Sequence, residues 1–148
     1  MWTKPRSLLL SRIIILLFLV LLVAGSVSLP ALLRLYFGYM GNSLINLTPL
    51  MSVLWACAIP AFAALIQLGR MLKNISSDRV FVKENVGALR LISWCCFLVS
   101  IVFFCFTFYY VLGLLLAILA AFMGLILRVL KNVFEQAIEI KEENDLTI

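Results

Sequence analysis

Four apolar runs, each close to the length that crosses a bilayer, constrain this chain more than any other feature. They fall at 8–29, 50–68, 89–109 and 112–130. A hydrocarbon core about 30 Å thick takes about 20 helical residues to cross, whereas a barrel strand takes about 10 and alternates in polarity. These runs are continuous, so they read as helices. They use more than half of the 148 residues and leave no room for a separate soluble domain. Composition agrees for a physical reason. Only 13% of the residues are charged, against roughly 25% in soluble domains, and the surplus apolar surface needs lipid as its solvent. The fold class is therefore an all-α membrane protein, with one four-helix transmembrane domain over 1–148. A short amphipathic helix is expected over the tail, 131–148.

The basic residues orient the spans. Lys4, Arg6 and Arg12 precede or enter the first; Arg70, Lys73, Arg79, Lys83 and Arg90 lie between the second and third; Arg128, Lys131 and Lys141 close or follow the fourth. Of twelve basic residues only Arg34 falls on the other side. The positive-inside rule then puts both termini and the middle loop in the cytoplasm. Arg12 and Arg128 sit near span ends and can snorkel to the interface. The net charge of +5 is thus a topology and headgroup signal, and direct nucleic-acid binding is not expected. The N-terminus imitates a signal peptide, with a basic start and small residues Ala24, Gly25 and Ser26. Its apolar run exceeds the usual 7–15 residues, so retention as a first span is expected.

Local features refine the picture. Segment 34–48, with Tyr36, Phe37 and Tyr39, reads as an aromatic connection lying on the outer membrane surface. Pro60 removes a backbone donor in mid-span and frees the carbonyl of Ala56. Leu68, Met71, Leu72 and Ile75 extend the second helix beyond the bilayer, with Arg70, Lys73 and Asn74 facing away, before a turn at Ser76, Ser77 and Asp78. Only two residues separate the third and fourth runs, which requires an antiparallel hairpin. Gly113, Ala117, Ala120, Ala121 and Gly124 recur at spacings of three and four, so another backbone can approach closely, within this chain or in a second copy. A homo-oligomer is compatible with that stripe. Stretch 68–75 aligns without a gap with 126–133, sharing Arg, Leu, Lys and Asn in one register. A duplicated hairpin would explain the match and would place a pseudo-twofold along the membrane normal. Coincidence at two basic span ends would explain it too.

Counted from Lys131, the tail carries two bases against five acids, while 70–90 carries five bases against two acids. The tail is expected to fold back over the middle loop as a small cap, each exposed pair contributing a few tenths of a kcal/mol.

Reactive groups are scarce. The chain has no histidine, which removes imidazole from acid–base and metal chemistry. Asp78, Glu84, Glu135, Glu139, Glu142, Glu143 and Asp145 all lie outside the spans, so no carboxylate sits at membrane depth to couple transport to protons. Cys57, Cys95, Cys96 and Cys105 read as apolar packing. Ser26, Ser28, Ser52, Gln67, Ser93, Ser100 and Thr107 can serve as interhelical glue. No nucleophile–base pair is visible. The expectation is a protein that is not an enzyme, with no catalytic, cofactor or metal residues.

The stretch Arg79-Val80-Phe81-Val82-Lys83-Glu84-Asn85-Val86-Gly87-Ala88-Leu89-Arg90 resembles the Pro-Phe-Thr-x-x-Asn-x-x-x-Leu-Arg signature of a bacterial family of small four-helix membrane proteins, domain of unknown function 2975. The ending at 142–148 is similar to that family's ending. Phe81, Asn85, Leu89 and Arg90 match. Val80 and Val82 stand where proline and threonine are usual, and without that threonine the third helix loses its expected N-cap. Members are often encoded beside a small helix-turn-helix regulator. The resemblance therefore implies a membrane protein that binds or sequesters such a regulator. Three readings follow: a cytoplasmic docking module, a small transport or immunity protein, and a structural or lipid-interacting protein. On the docking reading the partner surface is Arg79, Phe81, Lys83, Asn85, Arg90, Phe134, Ile138 and Glu139.

Overall fold

The computed structural model describes residues 4–41 and 47–147, with side chains from Arg6 onward. Four helices follow in chain order: α1 Lys4–Tyr39, α2 Thr48–Ser76, α3 Lys83–Phe106 and α4 Leu112–Leu146. All four are long and apolar enough to span a membrane. Two are longer than a span requires. At 1.5 Å per residue, α1 with 36 residues and α4 with 35 each run about 50 Å.

Two expectations change here. Segment 34–39 is not a connection but the last turns of α1, which continues through Pro30 without a break. Residues 42–46 of the connection lie outside the described residues. The tail continues the fourth span as one helix, as expected, but α4 as a whole is apolar rather than clearly amphipathic. Nothing in 127–135 contains Gly or Pro to break it, so the hydrogen-bond ladder carries through.

The helices pack in sequence. Among the described residues α1 touches only α2, α2 also touches α3, and α3 packs most extensively on α4. A twofold along the membrane normal would carry α2 onto α4 and α3 onto α1. The α2–α3 contact would then require an α4–α1 contact, and none occurs among the described residues. The closed pseudo-twofold expected of duplicated hairpins is absent, and the match between 68–75 and 126–133 has no symmetric packing behind it.

The α3–α4 seam shows what the small-residue stripe is for. Gly113, Ala117 and Gly124 are buried. A Cβ on Gly113 would sit 2.8 Å from the Phe103 carbonyl oxygen and 2.9 Å from the Thr107 nitrogen; one on Gly124 would lie 3.2 Å from Cys96 Cβ. The close neighbour is α3 of the same chain. Two hydroxyls cross the seam: Ser93 donates to the Gly124 carbonyl at 2.8 Å and Ser100 to the Ala117 carbonyl at 2.7 Å. The link runs over 107–111, longer than the two residues expected but still a hydrogen-bonded turn, with Tyr110 N–H bonding back to Phe106 O at 3.1 Å and Gly113 N–H to Tyr110 O at 2.9 Å. By contrast Ser26, Ser28, Ser52 and Thr107 donate to carbonyls of their own helices, so they are not glue between helices.

Candidate functional site

The start of α1, the α2–α3 turn and the end of α4 share one end of the molecule, which carries all but one of the basic residues. The polar candidate residues gather there, and the turn positions them. α2 ends in a Schellman arrangement: Arg79 N–H bonds to Asn74 O at 2.9 Å and Asp78 N–H to Ile75 O at 3.1 Å. Asp78 takes the left-handed position with φ 57°, a role glycine usually fills. Val82 is extended and provides no side-chain cap for α3, as its replacement of threonine leads one to expect.

Asn85 compensates. It has no exposed surface. Its amide nitrogen donates to Arg79 O at 3.2 Å and Val80 O at 2.7 Å, and its oxygen accepts from Asn74 Nδ2 at 3.0 Å. That occupies both donors of the side chain and ties the turn to both flanking helices. Asn74 therefore faces α3 and does not face away. Asn85 belongs to the scaffold of the surface and presents nothing to a partner.

The turn also leans on α4. Phe81 packs on Phe134 with ring centroids 5.4 Å apart and the rings tilted by 58°, and Ile138, one turn further along α4, is buried at 7% exposure. Lys83 pairs with Glu142 at 3.2 Å and Arg90 with Glu135 at 3.7 Å, while Arg79 pairs with Glu84 at 3.7 Å within its own segment. These groups are largely exposed, so the pairs fix register more than they stabilise. Lys131, mostly buried, reaches Glu135 at 2.8 Å one turn along α4. That hydrogen bond, helped by the positive charges of Lys131 and Arg90, holds the Glu135 carboxyl below its ordinary value. Of the eight candidate residues, Arg79, Phe81, Lys83, Arg90 and Glu139 are exposed, Phe134 is partly covered, and Asn85 and Ile138 are inside.

Sequence reasoning found the opposition of acidic tail and basic loop but missed the Asn74–Asn85 pair. The signal was available: two asparagines near the end of one apolar helix and the start of the next. It also missed Arg128, which lies over the Trp94 ring 5.5 Å from its centroid. No group of three or more His, Cys, Asp or Glu residues able to hold a metal ion occurs among the described residues.

A polytopic helical membrane protein with a small polar head at one end is what this geometry defines. The family is specific. Residues 8–148 match the model described as "Protein of unknown function (DUF2975)", and the chain belongs to that family. A relative named "Uncharacterized membrane protein YoaS", from Bacillus subtilis (strain 168), is 31% identical over 108 residues, covering 64% of this chain and 68% of the relative. No solved structure matches the chain.

Proposed function

We propose that the basic end faces the cytoplasm of the bacterial cell and that its head is a docking surface for a cytoplasmic protein. A small helix-turn-helix regulator is the partner that the family resemblance implies. One observation carries this reading. Residues 131–146 extend α4 about 24 Å beyond its apolar run, and the Phe81–Phe134 contact and the Lys83–Glu142 pair fix that extension to the α2–α3 turn and the start of α3. A helix end held in register against a tied turn is a preorganised surface, and preorganisation lowers the entropic cost of binding. Catalysis is not part of the reading. The chain has no histidine, and Glu84, Glu135 and Glu142 are engaged in ion pairs.

The geometry dictates the test. Reversing Lys83 or Arg90 would also break the head's own pairs with Glu142 and Glu135, so the probes belong at exposed positions outside its internal contacts. A photocrosslinking residue at Glu139 or Gln136 should capture a helix-turn-helix protein in intact membranes of the source bacterium, whereas one at Tyr39 should not. Capture of no cytoplasmic protein from either head position would end the docking reading. A reporter fused after residue 148 tests orientation separately: a cytoplasmic signal is expected, and a signal from the opposite side would overturn the placement.

A further inference from the structure

The helix pair α1–α2 encloses a groove that its protein neighbours leave unfilled. Near the basic end it has a volume of about 800 Å³. Along α1 its walls run from Leu8 to Leu19, about 16 Å of helix. Leu16, Leu65 and Leu72 are among its apolar walls, and Arg12 and Lys73 also line it, from opposite helices. No acidic residue lines the groove, and no ion pair joins Arg12 or Lys73 to a carboxylate among the described residues. At the opposite edge of the fold, Lys83, Arg90 and Lys131 are all answered by glutamates of α4. Among the described residues, Arg12 and Lys73 thus place two cations without an ion pair beside an apolar slot.

We propose that this groove is a binding site for one anionic phospholipid, with an acyl chain between α1 and α2 and the headgroup phosphate held by Arg12 and Lys73. The charge selects an anion. The apolar walls below select a lipid over a free phosphate ion. Basic pockets between spans at a membrane surface suit such headgroups. The groove borders the α2–α3 turn at Ser76 and Ser77 but is lined by none of the residues assigned to the docking surface. Bound lipid would act as the missing packing between α1 and α2, so site occupancy and attachment of α1 are coupled.

Gly69 gives a clean probe, because it lines the groove and a Cβ added there meets nothing within 4 Å. Gly69→Phe introduces a ring into the slot from a position with room for a Cβ. Native mass spectrometry of the full chain, released from nanodiscs of phosphatidylglycerol mixed with phosphatidylcholine, reads lipid retained per molecule. The wild type should keep one phosphatidylglycerol in preference to phosphatidylcholine by on the order of tenfold, as expected for two cations near one headgroup. Gly69→Phe should lose the retained lipid. Arg12→Gln/Lys73→Gln should keep one lipid but lose the headgroup preference. Millimolar inorganic phosphate should not displace the lipid. Equal retention in wild type and Gly69→Phe, an unchanged preference in the double variant, or displacement by inorganic phosphate would each overturn the proposal.

Discussion

The two hairpins of this protein solve the same problem differently. The α3–α4 pair approaches closely enough that Gly113 has no room for a Cβ, and two serine hydroxyls cross between backbones. The α1–α2 pair has neither device. The serines of the apolar run of α1, Ser26 and Ser28, bond to its own carbonyls, Gly25 has open space around it, and two grooves of about 800 and 250 Å³ separate the helices. None of the described residues of α1 is buried, although α1 holds the most apolar window of the four. Within lipid, hydrophobicity inserts a helix but does not attach it to its neighbour, because lipid tails are as apolar as leucine. Attachment comes from close backbones and polar contacts, and those are concentrated in α3–α4 and the turn preceding it.

The contrast is sharpest where one side chain serves several backbone groups. Asn85→Ala should damage the fold more than any change at the helix seams, because it strands Asn74 Nδ2 and two turn carbonyls. A loss of about 3 kcal/mol is expected, the upper end for a buried polar group left unsatisfied, read as a lowered midpoint of unfolding in mixed micelles. Paired glycine changes come next. Gly113→Val should cost about 2 kcal/mol as overpacking against backbone, whereas Gly25→Val enters open space and should leave the midpoint unchanged or raised. Equal effects would erase the distinction between the hairpins. Ser93→Ala should cost about 0.6 kcal/mol, the average for an interhelical bond in lipid, and Ser26→Ala should cost nothing measurable.

The smallest effect is that of pH on the head. The folded chain favours the charged form of Glu135, whose ordinary value is 4.5. Its contribution is therefore fully present above that value and is lost as pH falls through the lower folded value. Unfolding midpoints of wild type and Glu135→Gln should converge on acidification below about pH 4.5 and stay separated at neutral pH. A constant separation throughout would show that the Lys131 and Arg90 contacts do not stabilise the head.

What the sequence discloses follows the same division. Spans are legible because length and apolarity are local properties, and the α3–α4 hairpin is legible because so short a link leaves no alternative. The stripe from Gly113 to Gly124 announces a close approach, but only packing identifies α3 of the same chain as the neighbour. Helix ends are less visible. Residues 34–39 look like an interfacial connection because tyrosines suit that depth, yet they contain nothing that ends a helix before Gly41, whose φ is 71°. The tail's continuation of the fourth span is legible because Leu130, Phe134, Ala137 and Ile138 keep helical spacing across Lys131, whereas the amphipathic character expected of it does not hold for α4 as a whole. In the head, opposite charges foretell that tail and turn meet. They do not foretell that Asn85 is internal, because a polar residue six places after a basic one reads as surface until its partners are known.

The central claim is that α3–α4 is a fixed unit and α1 is attached to the fold through one loosely packed neighbour. Distance distributions between paired spin labels test it directly. With the native cysteines replaced by alanine, one pair would label Leu98 and Leu119 across α3–α4 and another Leu21 and Ile59 across α1–α2, all exposed positions. In phosphatidylcholine bilayers a narrow distribution is expected for the first pair and a distinctly broader one for the second. Equal widths, or a broader distribution across α3–α4, would contradict the claim.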